Sequence, residues 1–188
     1  MVDAKTFRDA MSRLAAAVSV VTSNGPGGLS GCTASAVCSV SDEPPVLLVC
    51  INRTSRNNAI FKENGRLCVN VLRAEQQNMA MLFARSSGAT PAAARFTDSA
   101  WSLSAATPAS IPPPPHFQLP ALENALVSLD CSVIDTAEIG SHTVFYCSVE
   151  ATRFGNQGSA LLYYERDFQA LPDLAGPLAG IAEHPHPR

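Results

Sequence analysis

The chain has 188 residues, 46% hydrophobic and 15% charged, with a formal net charge of −3 and a pI near 5.8. That composition fits one folded domain with a sizeable core, not a disordered chain. The slightly acidic balance, with no basic cluster, gives no long-range attraction to nucleic acid or to an anionic membrane surface.

The first element is an amphipathic helix in "DAKTFRDAMSRL" (3–14). Phe7, Ala10, Met11 and Leu14 fall at i, i+3, i+4 and i+7, one stripe of a helix. "AAVSVVTS" (16–23) reads as a buried strand. The apolar run around it is too short to span a bilayer. Acidic residues precede it and no small-residue cleavage site follows, so a signal peptide is not expected and the cytoplasm is. "NGPGG" (24–28) is a turn, and "LSGCTASAVCSVS" after it makes the second arm of a hairpin. "DEPP" (42–45) ends that arm, and "VLLVCIN" (46–52) is a continuous apolar run suited to a central strand.

"RTSRNNAIFKENG" (53–65) is a short helix, with Thr54 or Ser55 as N-cap and Gly65 as its stop. "RLCVNVL" (66–72) is a strand. "AEQQNMAMLFAR" (74–85) is a helix with Met79, Leu82 and Phe83 as its core stripe. Residues 86–120 are rich in Ser, Ala and Pro and read as loop, with one short strand near Trp101. "PPPP" (112–115) is locally extended. "ALVSLDCSVIDT" (125–136) alternates, with Val127, Leu129, Cys131 and Val133 on one face and Ser128, Asp130 and Ser132 on the other. "AEIGS" connects it to a second long strand, "HTVFYCSVEATRF" (142–154). "ALLYYERDFQAL" (160–171) is a last strand. A single domain over 1–171, a Pro-rich loop at about 105–120 and a frayed tail over 172–188 complete the expected organisation. Strands are not separated by regular crossover helices, which argues for an antiparallel barrel with peripheral helices.

Two stretches bear on function. Residues 31–41, "GCTASAVCSVS", mix Thr33, Ser35, Ser39 and Ser41 with small apolar residues and contain no large side chain. Such a strand either packs tightly against a neighbouring element or lets a flat ligand lie along its backbone. Then "CINRTSRNN" (50–58) puts Asn52, Ser55, Asn57 and Asn58, with Arg53 and Arg56, where a strand passes into a helix. Unpaired N–H groups and the helix dipole make that position a seat for phosphate, although plain N-capping needs only one of these residues. There is no GxGxxG and no P-loop lysine motif, so a Rossmann-type dinucleotide fold is not supported. The six cysteines form no Cys-x-x-Cys and lie in strand-like runs, which favours buried thiols over a metal site or a disulfide framework. No metal is expected.

"FRDAMSRLAAAVSVVTS", "GCTASAVCSVSDEPPVLLVCIN", "NGRLCVNVL" and the "LFA" that follows resemble, in that order, the short-chain flavin reductases. The resemblance extends to the reductase components of two-component 4-hydroxyphenylacetate 3-monooxygenases. The resemblance runs from about Phe7 to Phe168. It implies a mainly β fold, an FMN-binding split β-barrel, antiparallel and Greek-key-like with peripheral helices, acting as a homodimer. It implies an NAD(P)H-dependent flavin reductase that moves hydride from NADH or NADPH to free FMN or FAD and supplies a separate monooxygenase.

Carried onto this chain, the resemblance lays Thr33, Ala34 and Ser35 along the flavin and brings Ser39 and Val40 to the isoalloxazine edge through backbone groups. Cys50, Ile51 and Asn52 continue the pocket, and Ser55 and Asn57 hold phosphate. Phe83 and Ala84 close the site. His142, in "IGSH", is a turn-end polar residue by itself; the resemblance makes it the nicotinamide-binding residue, with a positioning role. Tyr164 and Arg166 match the family less specifically and serve a structural strand equally well. No obligatory catalytic acid or nucleophile is implied. Cys32 and the proline run depart from the family pattern. Two other readings stay open. One is a flavin-binding electron carrier or sensor of the same fold; the other is an interaction domain that docks through the proline run.

Overall fold

A computed structural model describes residues 1–84, 92–96, 100–103 and 118–171; the proline run and the tail from Pro172 lie outside them. Helix α1 (Ala4–Met11) is capped by Asp3, whose carboxylate accepts from the backbone N–H of Lys5 and Thr6. Strands β1 (Ala16–Ala17), β2 (Ser19–Ser23), β3 (Ser30–Ala34), β4 (Val37–Asp42) and β5 (Pro45–Asn52) follow. Helix α2 (Arg56–Asn64) starts at the Ser55 cap and stops at Gly65, which takes the left-handed conformation. Then come β6 (Arg66–Val71), a 3₁₀ turn, and α3 (Gln77–Ala84). The rest is β7 (Trp101–Leu103), β8 (Pro120–Leu122), β9 (Val127–Ile139), β10 (His142–Phe154), β11 (Leu161–Tyr164) and β12 (Asp167–Ala170).

Seven strands form one antiparallel sheet in the order β3-β2-β6-β9-β10-β5-β4. Its two edge strands, β3 and β4, are joined by only Ser35 and Ala36. In a flat sheet the edges of seven strands would lie about 29 Å apart, whereas that link spans on the order of 10 Å. The sheet must therefore curl until its edges meet, and the result is a split barrel whose seam lies at residues 34–37. The run read as one arm over 29–41 is thus two strands, paired to β2 on one side and β5 on the other. Neither Ser35 nor Ala36 announces a turn, which is why the pattern reads straight through.

Every residue of β2 is buried. Val21 joins Val49, Ile51, Val69, Phe145 and α2's Phe61 in one core, and Val20 joins Leu72, Ala80, Phe83 and Leu122 in the other. On α3 the buried pair is Ala80 and Phe83; Leu82, expected in the stripe, is exposed. β5 alternates buried and half-buried positions, so its apolar run covers one buried face rather than two.

β9 also departs from simple alternation. Ser128 and Asp130, on the face opposite Val127 and Leu129, are buried together with Cys131. Ser128 Oγ donates to Asn70 Oδ1 at 2.8 Å beneath β8, a partner that the local pattern cannot reveal. The β9–β10 connection is two residues, Gly140–Ser141, with Ile139 opposite His142. The run 160–171 is not one strand but the β11–β12 hairpin, turned at Glu165 and Arg166 with φ of 48° and 65°. No glycine or asparagine marks that turn.

Candidate functional site

The seam gathers several of the residues singled out in the sequence. Cys50 N donates to Ala36 O at 3.0 Å, so the end of β5 runs beside the Ser35–Ala36 link. In the β5–β10 register Asn52 lies opposite His142 and Cys50 opposite Val144. Side chains alternate across a sheet, so Cys50, Asn52 and His142 share one face, while Ile51, nearly fully buried, points into the core. Asn52 and His142 are exposed, and Cys50 is half-buried. The His142 ring Nδ1 lies 2.9 Å from Ser141 Oγ.

The strand-to-helix segment is ordered by its own polar groups. Asn52 Oδ1 accepts from Thr54 N and Thr54 Oγ1, both at 2.9 Å. Ser55 Oγ accepts from Asn57 N at 3.3 Å and from Asn57 Nδ2 at 3.2 Å. Asn57, expected to hold phosphate, is only 6% exposed, and its Oδ1 accepts from Ser30 Oγ on β3. The carboxamide braces the cap from behind instead of facing out, because β3 passes directly beneath the first turn of α2. Asn58 is likewise buried, donating to Ile51 O at 3.1 Å. Arg56 is exposed, with no ion-pair partner among the described residues.

The small-residue strand divides in two. Gly31 is small because Phe83 lies over it: a Cβ there would sit 2.9 Å from the ring. Thr33 Oγ1 donates to Ala80 O at 2.6 Å and ties β3 to α3. Beyond Thr33 the packing opens. Ala34 is half-buried, and Ser35, Ala36, Ser39 and Val40 are exposed. Ser39 lines a mostly apolar groove of about 470 Å³ together with Val37, Leu47, Leu129 and Val149. Val40 falls at an irregularity in the β4–β5 pairing, where the residues on either side, Ser39 and Ser41, keep their partners. β4 is an edge strand, so part of its backbone polar row faces away from the sheet.

Phe83, expected to close the site, is 1% exposed. Its ring packs edge-on against Phe96 at 5.1 Å and Trp101 at 5.4 Å, with the Arg95 guanidinium 5.2 Å from its centroid. It is a core residue behind β3, and its exposed neighbour Ala84 ends α3. Arg166 pairs with Asp9 and fastens α1, a structural task; Tyr164 is exposed beside it on β11.

All six thiols are free. Cys38 is exposed, contrary to the expectation of uniform burial, because it sits on edge strand β4. Burial pushes Cys32 up to about 12 and raises Cys50. Both stay protonated at neutral pH and neither is an activated nucleophile. The local pattern did not reveal the group around Glu138. Arg53 Nη2 lies 2.9 Å and Lys62 Nζ 2.7 Å from its carboxylate, and the pair holds the Glu138 carboxyl below its usual range, with the Lys62 hydrogen bond contributing most. Arg53, read as a cation for phosphate, is turned toward the β9–β10 turn because these acceptors lie there.

Comparison with known proteins follows the same lines. The sequence profile of the flavin reductase like domain matches residues 11–172. A protein of Methylorubrum extorquens named FMN reductase (NADH) RutF 1 is 48% identical over 171 residues, covering 91% of this chain and 78% of that one. FMN reductase (NADH) RutF of Stutzerimonas stutzeri is 42% identical over 165 residues, covering 88% and 87%. Among solved structures, a flavin reductase of Haemophilus somnus superposes with a TM-score of 0.77 at 36% identity, covering 90% of this chain and all of that one. BorF, the flavin reductase component of a bacterial two-component tryptophan halogenase, gives 0.77 at 28% identity, with 91% and 99% covered. These relatives carry other names than the 4-hydroxyphenylacetate reductases, so the resemblance holds at the level of the family. A barrel seam bordered by short side chains, an exposed strand-to-helix turn and these matches over nearly the whole described length place the chain in the flavin reductase like domain family.

Proposed function

We propose that this chain reduces FMN with NADH and releases the reduced flavin to a separate oxygenase. It is an NAD(P)H-dependent flavin reductase; the names of the relatives, FMN reductase (NADH), favour FMN and NADH within that activity. The flavin reductase component of a two-component tryptophan halogenase among the structural neighbours supports a separate partner enzyme. The observation that carries the reading is the register that sets His142 opposite Asn52 at the end of the strand leading to Ser55.

In this reading the flavin ring lies along Thr33, Ala34 and Ser35, with its edge against backbone groups of Ser39 and Val40. The run of short side chains from Ala34 to Val40, exposed at all positions but Ala34 and Val37, fits a flat ring. Cys50 and Asn52 form the adjoining wall with their side chains, and Ile51, turned into the core, contributes only its backbone. Ser55 and the first backbone N–H groups of α2 hold the phosphate, with exposed Arg56 nearby, while Asn57 braces the cap. Ala84 borders the site and Phe83 supports it from behind. His142 docks the nicotinamide and holds it in place. When both are bound, hydride passes from nicotinamide C4 to flavin N5. The chain's part is stacking, orientation and a shaped surface, and no protein acid, nucleophile or metal is needed.

Two copies are part of the proposal. No residue of α1 is buried; Phe7 and Met11 lie exposed one turn apart on it and Leu14 lies exposed just past its end, an apolar surface that a second copy can cover. No helix among the described residues is long and apolar enough to cross a membrane. Free thiols suit a reducing compartment, which supports the cytoplasm.

The test is anaerobic bleaching of excess FMN or FAD by NADH or NADPH. Many flavins should bleach per protein, fastest with FMN and NADH. His142→Ala should raise KM for NADH about tenfold, the scale of one lost hydrogen bond, and leave KM for FMN within twofold. Flavin binding without turnover would reduce the chain to a carrier or sensor.

A further inference from the structure

We infer that Glu138 and Arg53 are positioning residues for nicotinamide use, acting as a polar clamp that fixes the His142 turn on the strand-to-helix segment. This rests on the assignment of His142 to the nicotinamide.

The turn stands at the far end of the β9–β10 hairpin. Its neighbours Asp135, Thr136 and Ile139 are exposed, and the core begins only at Thr143, buried opposite Ile51. Beyond the strand pairing of His142 with Asn52 and Ile139, polar contacts hold the turn, and they converge from one side. Arg53 N donates to Ser141 O at 2.9 Å, and Arg53 Nη1 donates to Gly140 O at 3.2 Å. The other arm of the same guanidinium meets Glu138 Oε2 at 2.9 Å. Lys62, from the last turn of α2, binds the second oxygen, Oε1, at 2.7 Å. One residue past His142, buried Thr143 donates to Asn58 Oδ1 at 3.3 Å.

His142 is therefore bracketed. Ser141 before it and Thr143 after it are both tied to the 53–58 segment, and Glu138 joins that segment to the body of α2. A planar guanidinium can serve a carbonyl and a carboxylate at once; an ammonium cannot span both in the same way. The arrangement also turns Arg53 away from the phosphate seat and toward the nicotinamide side. The side chains of Arg53, Glu138 and Lys62 are 49%, 47% and 36% exposed. Ion pairs this exposed add little to stability. Their consequence is geometric: loosening them lets the ring of His142 drift while the fold stays intact.

The experiment compares wild type, Glu138→Ala, Glu138→Gln, His142→Ala and the Glu138→Ala/His142→Ala double variant in anaerobic turnover with NADH and FMN, with the thermal midpoint of each. Glu138→Ala should raise KM for NADH about threefold, leave KM for FMN within twofold and leave the midpoint nearly unchanged. Glu138→Gln, which keeps one acceptor oxygen, should fall between it and wild type. In the double variant the loss of Glu138 should add nothing to the loss of His142, because one acts through the other. If His142→Ala raises KM for NADH and Glu138→Ala does not, the clamp is overturned and the His142 assignment stands. If His142→Ala leaves KM for NADH unchanged, the assignment falls and the clamp with it. Equal effects of Glu138→Ala on both substrates, or additive effects in the double variant, would also overturn it.

Discussion

Two asparagines at opposite ends of the barrel show how this fold separates support from site. Asn70, on β6, is fully buried and its carboxamide is used on both sides. Nδ2 donates to Val20 O at 3.0 Å, and Oδ1 accepts from Leu122 N and Ser128 Oγ, both at 2.8 Å. Asn52, at the end of β5, is exposed. Its Oδ1 shapes the following turn, and its Nδ2 has no partner among the described residues. Buried polar groups must be satisfied, so the first region has nothing left to offer a ligand. The second keeps donors in reserve. The same division runs along the small-residue strand, where Gly31 is covered by Phe83 and the Thr33 hydroxyl is bonded to α3 while Ser35 and Ser39 remain open.

The largest effects should come from the closed side. Phe83→Ala would empty a site filled by a fully buried ring that touches Phe96, Trp101 and Arg95. The expected cost is about 4 kcal/mol. Thermal unfolding should show a fall of about 12 °C for a chain of this size. Phe83→Leu should recover much of that loss with KM for FMN within twofold of wild type. A large rise in KM with an intact midpoint would instead put the ring in the flavin site.

Asn70→Ala should come next. It strands the Leu122 amide and the Ser128 hydroxyl in the interior and costs about 3 kcal/mol. The midpoint should fall by about 9 °C, with turnover per folded molecule unchanged. A changed KM for either substrate would break the separation between the two ends.

Local chemistry made much of this visible and long-range geometry concealed the rest. The limits of α2 were readable because Ser55 and Gly65 are the residues that caps require. The stretch 50–58 stood out because polar residues crowd where a strand gives way to a helix. The break of the 29–41 run was hidden, since barrel closure rather than turn chemistry imposes it. So was the inward turn of Asn57, whose partner Ser30 lies on another strand. The core stripe of α3 is legible at Phe83, while the partners that complete its packing, Phe96 and Trp101, arrive from later in the chain. The Glu138 clamp joins residues 76 and 85 positions apart, and no spacing rule reaches that far.

Of these three substitutions Ser55→Ala has the smallest expected effect on stability, and it separates the two roles of one residue. Removing the hydroxyl takes the acceptor from Asn57 N and Asn57 Nδ2 and costs about 1 kcal/mol as a lost cap, some 3 °C in the midpoint. A cap acts on the helix whatever is bound, whereas a phosphate ligand acts only on substrates that carry phosphate. Turnover should therefore be measured with FMN and with riboflavin, which lacks the phosphate. If Ser55 and the α2 N-terminus hold the phosphate, KM for FMN rises about fivefold while that for riboflavin stays within twofold, a difference of about the size of one hydrogen bond. If Ser55 only caps, both values move together. The first result would extend the open side of the comparison from Asn52 onto α2; the second would end it at Thr54.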